Sequence, residues 1–272
     1  MSMLPSFFRT AVVAIGVPLN DGKVKWCATG FLVGKYIDNN KTRANLFLIT
    51  NKHVVNGLDS VRVRFNRKKS PGVKDCVVTL RNGNKKNYTE HPNPSVDVVA
   101  IKLHGGKLMQ TDSEVAYFDL ESHSLTLKQM STTGVEEGGL VYAIGFPMGI
   151  VEEEIKAPFV RLGCISRIND SFNHVGDSAF FVDAQTFPGN SGGPVVSVPE
   201  AITITGTAKN TNANLIGVLC AYKPYVDRLI SSQTQEIVML HRENSGLTKV
   251  FPVDRIKEVV EIEEKRFGKQ SR

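Results

Sequence analysis

The residues best suited to chemistry are gathered in Phe187-Pro188-Gly189-Asn190-Ser191-Gly192-Gly193-Pro194. Three glycines open backbone angles closed to other residues and two prolines stiffen the ends, so the segment reads as a tight turn. Such a turn can aim several main-chain N–H groups at one point beside the Ser191 hydroxyl. Acyl transfer needs that arrangement: a nucleophile next to donors pointed where a tetrahedral oxyanion will form. Taken alone, the stretch also reads as an ordinary Gly-rich loop between two strands, and the rest of the chain has to decide.

A serine nucleophile needs a base, and the base needs an acid to orient it. His53 stands just past the apolar run Phe47-Leu48-Ile49-Thr50, in Asn51-Lys52-His53-Val54-Val55. A strand end is where an imidazole can reach across a cleft. None of the other five histidines (His91, His104, His123, His174, His241) follows a comparable strand-then-turn signal. Asp97 is a lone carboxylate in the apolar run Val96-Asp97-Val98-Val99-Ala100-Ile101. Burying it is expensive unless something satisfies its charge, and the Nδ1–H of His53 would do so. The competing reading is a strand-edge aspartate facing water.

The elements that must position these residues are mostly short strands. Runs at 11–17, 30–33, 45–50, 61–65, 76–80 and 96–103 precede a polar stretch at 121–134. Further strand-like runs follow at 140–145, 159–165, 179–183, 193–198 and 215–220. Many short strands without intervening helical periodicity predict an all-β protein of barrels or sandwiches. The polar stretch divides it into a first half, 8–120, carrying His53 and Asp97, and a second half, 135–251, carrying Ser191, with 121–134 as the linker. From Pro252, helical spacing of Ile256, Val259, Val260 and Phe267 predicts one amphipathic helix over 252–267, laid on the second half. Its acidic cluster, Glu258, Glu261, Glu263 and Glu264, is expected to face solvent. The stretch 223–245 reads as a long connection of the kind that often carries function.

With 272 residues, 41% of them hydrophobic and 22% charged, the chain is long enough and apolar enough for a full core. It contains no apolar run of about eighteen residues, so no membrane-spanning segment is expected. The N-terminus lacks the basic, apolar and small-residue regions of a signal peptide, which gives a cytoplasmic expectation. The four cysteines, Cys27, Cys76, Cys164 and Cys220, have no metal-ligand or redox spacing. Mostly buried thiols in a reducing compartment fit that usage. The net charge of +6 includes a basic cluster at Arg62, Arg64, Arg67, Lys68 and Lys69. The alternation in Val61-Arg62-Val63-Arg64-Phe65 assigns both arginines to a solvent face, and no aromatic interleaving supports nucleic-acid binding. No metal or other cofactor is expected.

Four motifs in order resemble the trypsin-like serine peptidases, and within them the bacterial HtrA-like branch. They are Gly30-Phe31-Leu32-Val33-Gly34, Leu48 through Val55, Asp97 through Lys102, and Gly189 through Pro194. Ala143-Ile144-Gly145-Phe146-Pro147, Asp183-Ala184 and Phe251-Pro252-Val253-Asp254-Arg255-Ile256 add to the likeness. The resemblance implies two six-stranded antiparallel β-barrels, chymotrypsin-like, with a site in the cleft between them and a C-terminal α-helix outside. It implies a catalytic triad of His53, Asp97 and Ser191 that hydrolyses peptide bonds of a protein or peptide substrate, and an oxyanion hole from the N–H groups of Gly189 and Ser191. It also implies a substrate pocket floored by Gln185, six residues before the serine, and walled by Cys220, Ala221 and Tyr222. A neutral Gln185 and a bulky Tyr222 predict preference for small or medium uncharged residues before the scissile bond.

The chain also departs from the pattern. Asn190 stands where many secreted relatives carry an aspartate that pairs with a newly cut N-terminus, so activity without propeptide cleavage is expected. The PDZ domain usual after HtrA proteases is not expected, because only about twenty residues follow Pro252. An active cytoplasmic protease needs restraint, so a regulatory partner protein is anticipated, with 223–245 as the candidate gating element.

Overall fold

Alternation in the first hundred residues becomes strands because one face of each can be buried. Val61, Val63 and Phe65 turn fully inward, and the residues between them lie half-buried on the other face. A computed structural model describes residues 4–38, 40–173, 178–200 and 209–268. Helix α1 (Ser6–Ala11) leads into strands β1 (Val12–Pro18), β2 (Val24–Tyr36) and β3 (Ala44–Thr50). The four-residue helix α2 (Lys52–Val55) is followed by β4 (Ser60–Asn66), β5 (Val73–Thr79), β6 (Arg81–Asn82) and β7 (Lys85–Lys86). Then come β8 (Thr89–Glu90), β9 (Val99–Leu103), helix α3 (Gly105–Gln110) and β10 (Phe118–Asp119). These form an eight-stranded sheet in the order β5-β4-β1-β2-β3-β9-β8, with β10 added parallel to β2 and the pair β6-β7 standing apart.

The second half closes on itself. Helix α4 (Leu127–Thr133) occupies the stretch that reads as a polar linker. It starts on a capping box between Thr126 and Gln129 and stops at Gly134, whose φ is +73°. Strands β11 (Leu140–Gly145), β12 (Phe159–Arg167), β13 (Phe180–Asp183), β14 (Pro194–Ser197), β15 (Leu215–Ile230) and β16 (Ile237–Pro252) form a closed barrel, with helix α5 (Asn169–Phe172) after β12. Helix α6 (Val253–Gly268) ends the described chain. The architecture is the all-β, chymotrypsin-like one with a C-terminal helix that the resemblance implied, and its second half is the expected closed six-stranded barrel, but the first half is ordered as an eight-stranded sheet instead of a second six-stranded barrel. Among the described residues no helix is long and apolar enough to cross a membrane.

Several expectations change. Residues 223–245 are not an irregular connection, because β15 and β16 run on as a two-stranded ribbon that pairs out to Ile230 and Ile237. Helix α6 leaves Glu261 exposed as expected but engages the other three acidic residues of the cluster. Glu263 is fully buried and accepts from the Thr89 hydroxyl and, at 2.8 Å, from Arg266. Glu258 meets His91 at 2.5 Å and Arg255 at 2.8 Å, and Glu264 pairs with Lys35 at 2.8 Å. The helix therefore bridges both halves, with Val253, Ile256, Val259 and Val260 buried beneath it, each worth roughly 1.5–3 kcal/mol. Arg64 is not on a solvent face either. Its guanidinium forks the Asp75 carboxylate with two 2.7 Å bonds, donates to the Glu152 carbonyl at 2.8 Å and lies over the Trp26 ring. No disulfide joins the cysteines, and only Cys220 is buried, while Cys27 is exposed.

One apolar cluster runs through both halves, from Phe31 and Phe47 across Ile144 and Phe146 to Phe251 and Ile256. Lys156 fastens the same seam. Its ammonium, 3% exposed, donates to the carbonyls of Val12 at 2.7 Å, Thr10 at 2.8 Å and Arg9 at 3.3 Å. Burial nonetheless pushes its pKa down to about 8, with Glu114 opposing, against about 10.4 in an unfolded chain. Between those values the unfolded chain holds a proton that the folded chain releases. Stability therefore rises with pH across the window, and the cost of burying the charge is fully present below about pH 8. Unfolding of wild type and Lys156→Met at pH 7 and pH 10 should shift the difference toward wild type by on the order of 1–3 kcal/mol. A difference that does not change with pH would overturn this reading.

Candidate active site

The strand ends deliver the three polar residues to one place. β3 ends at Thr50, and α2 turns His53 to the surface. Asp97 sits in irregular chain two residues ahead of β9, not inside a strand. Its placement comes from hydrogen bonds: the Nδ2 of Asn51 donates to the Asp97 carbonyl at 2.7 Å, and the His53 main-chain N–H donates to Oδ1 at 3.0 Å. The ring Nδ1 of His53 meets Oδ2 at 2.5 Å. The Cys220 thiol donates to the same oxygen at 3.4 Å. Burial alone would raise the Asp97 pKa, but the hydrogen bonds and charge of His53, with the Cys220 thiol, hold it below the usual carboxylate value.

The turn that carries Ser191 is set by contacts from the first sheet. Thr29 is fully buried; its N–H donates to the Ser191 carbonyl at 3.0 Å and its hydroxyl donates to the Gly189 carbonyl at 2.7 Å. The same hydroxyl accepts from the Phe146 N–H at 3.0 Å, and Thr50 donates to the Thr29 carbonyl at 2.9 Å. Gly189 has φ +100° and Gly192 φ +85°, and a Cβ at Gly192 would collide with the Thr29 carbonyl and the Thr50 hydroxyl. Only glycine meets both demands there. Among the described residues, no protein acceptor takes the N–H of Gly189 or of Ser191. The Ser191 hydroxyl donates to the Cys220 carbonyl at 3.0 Å. Asn190 is buried, and its Nδ2 has no partner among the described residues. A neutral amide left unpaired costs about 1–3 kcal/mol, and a charged group in its place would cost more.

Ser191 and His53 line one cavity of about 340 Å³, together with Cys220, Ala221 and Tyr222. Gln185 is not part of it. With φ +35° it is exposed, and its neighbour Thr186 is turned in instead. Thr186 and Thr248 share a 2.6 Å hydrogen bond, and Asn244 holds the Thr186 carbonyl at 2.7 Å. Among the described residues, His53, Cys220 and Tyr222 are the titratable side chains of the lining, and no Asp, Glu, Lys or Arg borders the cavity. A larger cleft, about 450 Å³ and rimmed by Lys85, Lys86, Lys102 and Lys107, opens in the first half, but none of the residues proposed for the site lines it. His91, His104, His123 and His241 stand away from the smaller cavity, and His174 lies outside the described residues. Thr29, Thr50, Asn51, Thr186 and Thr248 were not singled out by sequence. A threonine at a strand end carries no distinguishing local signal.

A family model described as the trypsin-like peptidase domain matches residues 28–201, well over half of the chain. The chain therefore belongs to the trypsin-like serine peptidases. The protease domain of MamO from Magnetospirillum magneticum, in its apo form, is similar in fold at 18% identity and a TM-score of 0.50, covering 92% of this chain and 96% of that one. The inactive form of the Rv3671c protease from M. tuberculosis H37Rv matches at 16% identity and a TM-score of 0.44, over 92% of this chain and 87% of that one. No curated protein matches the chain.

The Thr29 hydroxyl is a single group serving two buried main-chain atoms from the other half. Replacing it with Val keeps the shape and strands both partners, so Thr29→Val should destabilise by at least about 2 kcal/mol in urea unfolding with an unchanged slope. Thr29→Ser should restore most of that loss. Equal stability of the Val variant and wild type would show that the dock does not depend on this hydroxyl.

Proposed function

We propose that the protein is an endopeptidase of HtrA-like kind that cuts polypeptides through an acyl-enzyme on Ser191. His53 acts as general base and acid, and Asp97 fixes its tautomer. The observation that carries this reading is the 2.5 Å contact of His53 Nδ1 with Asp97 on the rim of the cavity that Ser191 lines. With Nδ1 committed, Nε2 is the nitrogen left for the serine proton. Ser191 first swings its hydroxyl from the Cys220 carbonyl to His53, a rotamer change of the fast kind that partly exposed side chains undergo. Oγ then attacks the scissile carbonyl, and its proton passes to His53. The oxyanion takes the uncommitted N–H groups of Gly189 and Ser191. His53 next protonates the leaving amine, and water repeats the sequence to release the acid.

The uncharged lining of the cavity supports preference for small or medium uncharged residues before the cut, with Thr186 and Thr248 at its wall and Tyr222 limiting its width. Restraint by a partner protein and a cytoplasmic site of action remain part of this reading. Cleavage-site profiling is the test. Wild type should cut after uncharged residues and take a fluorophosphonate label. Ser191→Ala should lose the label and about 10⁴-fold or more in rate. Strict cleavage after Arg or Lys would refute the specificity, and undiminished labelling of the variant would refute the nucleophile.

Cys220 is assigned a positioning role, because its thiol donates to Asp97 and its carbonyl holds the resting serine. Cys220→Ala removes the donor and keeps the carbonyl, so kcat should fall several-fold at nearly constant KM. Cys220→Ser restores a donor and should recover the rate. Loss of equal size in both variants would mean that packing, not hydrogen bonding, is the contribution.

A further inference from the structure

The first half keeps an open seam. Its sheet runs from β5 at one edge to β8 at the other, and among the described residues no strand joins those edges. The inner face shows the consequence. Val61 and Val63 of β4 are fully buried, but their partners on β5, Val78 and Cys76, stay partly exposed. Across the gap, Leu103 of β9 and Leu108 of α3 are partly exposed in the same way. Between them lies the cleft of about 450 Å³, floored by Val63, Phe65 and Ile101 of the apolar cluster that fills this half. It shares no lining residue with the cavity at Ser191. Side chains that belong to a core by face and by type, yet are left uncovered, form the kind of concave apolar site that takes a small molecule.

The rim of the cleft is cationic. Lys85, Lys86, Lys102, Lys107 and Arg266 border it, and no Asp or Glu among the described residues does. Some of this charge is already committed. Lys86 meets Glu90 at 2.5 Å, and Arg266 donates to Glu263 and to the Lys86 carbonyl, each at 2.8 Å. Lys85, Lys102 and Lys107 have no carboxylate partner among the described residues. The Lys102 ammonium lies instead over the Phe267 ring, 4.9 Å from its centre. Like charges gathered beside apolar walls repel one another more than they would in open water. An anionic group at the mouth of the cleft therefore lowers the energy of its rim.

We propose that the cleft is a binding site for an anionic single-chain amphiphile, with a free fatty carboxylate as its simplest member. The alkyl chain enters between β5 and β9 and covers Val78, Cys76, Leu103 and Leu108, while the carboxylate stays at the mouth beside Lys102 and Lys107. A neutral apolar guest leaves the lysines uncompensated, and a small anion leaves the apolar walls in water. A molecule with both parts satisfies rim and floor together. At about 30 Å³ for a group the size of a water or a methylene, the cleft holds on the order of fifteen such groups, a chain of roughly ten to fourteen carbons with its head. Lysine ammoniums are flexible point charges, so the rim selects the sign of the head and the walls select the length of the chain. The site lies apart from Ser191 and does not depend on the peptidase reading.

The test is calorimetric titration of the full chain with monomeric octanoate, decanoate and dodecanoate, beside dodecanol and dodecyltrimethylammonium. The carboxylates should bind at one site, with Kd falling about fourfold for each added CH₂. Dodecanoate should bind about tenfold more tightly than dodecanol, and dodecyltrimethylammonium should not displace it. Replacing both rim lysines, Lys102→Gln with Lys107→Gln, should weaken dodecanoate about tenfold and change dodecanol by less than about twofold. Cys76 reports the same site, because it lines the cleft, whereas the exposed Cys27 does not. With dodecanoate at about ten times its Kd, alkylation of Cys76 by iodoacetamide should slow about tenfold while that of Cys27 is unchanged. Absence of saturable carboxylate binding, equal affinity for dodecanol and dodecanoate, or Cys76 alkylation that dodecanoate does not slow would overturn the inference. Binding to phosphatidylglycerol vesicles without binding of monomeric dodecanoate would assign the basic rim to a membrane surface and also overturn it.

Discussion

The hold that Thr29 and Thr50 exert on the turn at 189–193 is the constraint on which the remaining geometry depends. Ser191 belongs to the second barrel and His53 and Asp97 to the first sheet, so their separation is set by how the two halves meet. The apolar cluster that runs from Phe31 to Phe251 drives that meeting, but burial of apolar area is non-directional and tolerates small slides. The four hydrogen bonds made by Thr29 and Thr50 to each other, Gly189, Ser191 and Phe146 do not. Each has a short optimal distance, and each involves a buried group that would be costly to leave unpaired. Lys156 and Arg64 repeat the principle further along the seam, one with three carbonyls and the other with a carbonyl and a carboxylate.

Charge near Ser191 is then concentrated, among the described residues, in one carboxylate. Asp97 receives the His53 ring, the His53 N–H and the Cys220 thiol. Each donor favours its ionised form against the burial that opposes it. Asn190 is neutral, and no Asp, Glu, Lys or Arg lines the cavity among the described residues. The cavity walls hold hydroxyls and aromatic rings, with no carboxylate among the described residues.

Much of this was legible in the sequence, for physical reasons that differ by element. Strands with one buried face announce themselves by alternation, as Val61, Val63 and Phe65 do, and the Gly-rich turn around Ser191 is explicit because no other residue type tolerates its angles. His53 stood out just past the end of an apolar run, and Asp97 as a lone carboxylate inside one. Other features gave no such signal. Thr29 and Thr50 look like ordinary strand residues, and their role exists only once a distant turn lies against them. Gln185 was assigned to the cavity by counting back from the serine. The chain turns at that position with positive φ, and the count is off by one residue in favour of Thr186. The acidic residues of α6 fitted a solvent face by composition, but their partners His91, Thr89, Arg255 and Lys35 are spread along the chain.

The stretch 223–245 was obscure for a further reason: its apolar residues come in adjacent pairs, Tyr225-Val226 and Leu229-Ile230, so both faces of the ribbon carry them and neither gives a clean alternation. A strand with one face against a core shows one apolar side, whereas a strand with no core shows whichever pattern its partners demand. Where Ser191, His53 and Asp97 meet, buried hydrogen bonds hold main-chain groups of the two halves together, and the N–H groups of Gly189 and Ser191 stay without a protein acceptor among the described residues. Among the described residues the ribbon has no such ties to the other half, and Cys220 stands at the junction: its carbonyl receives the Ser191 hydroxyl, and the paired strands continue from the next residue out to Ile230 and Ile237.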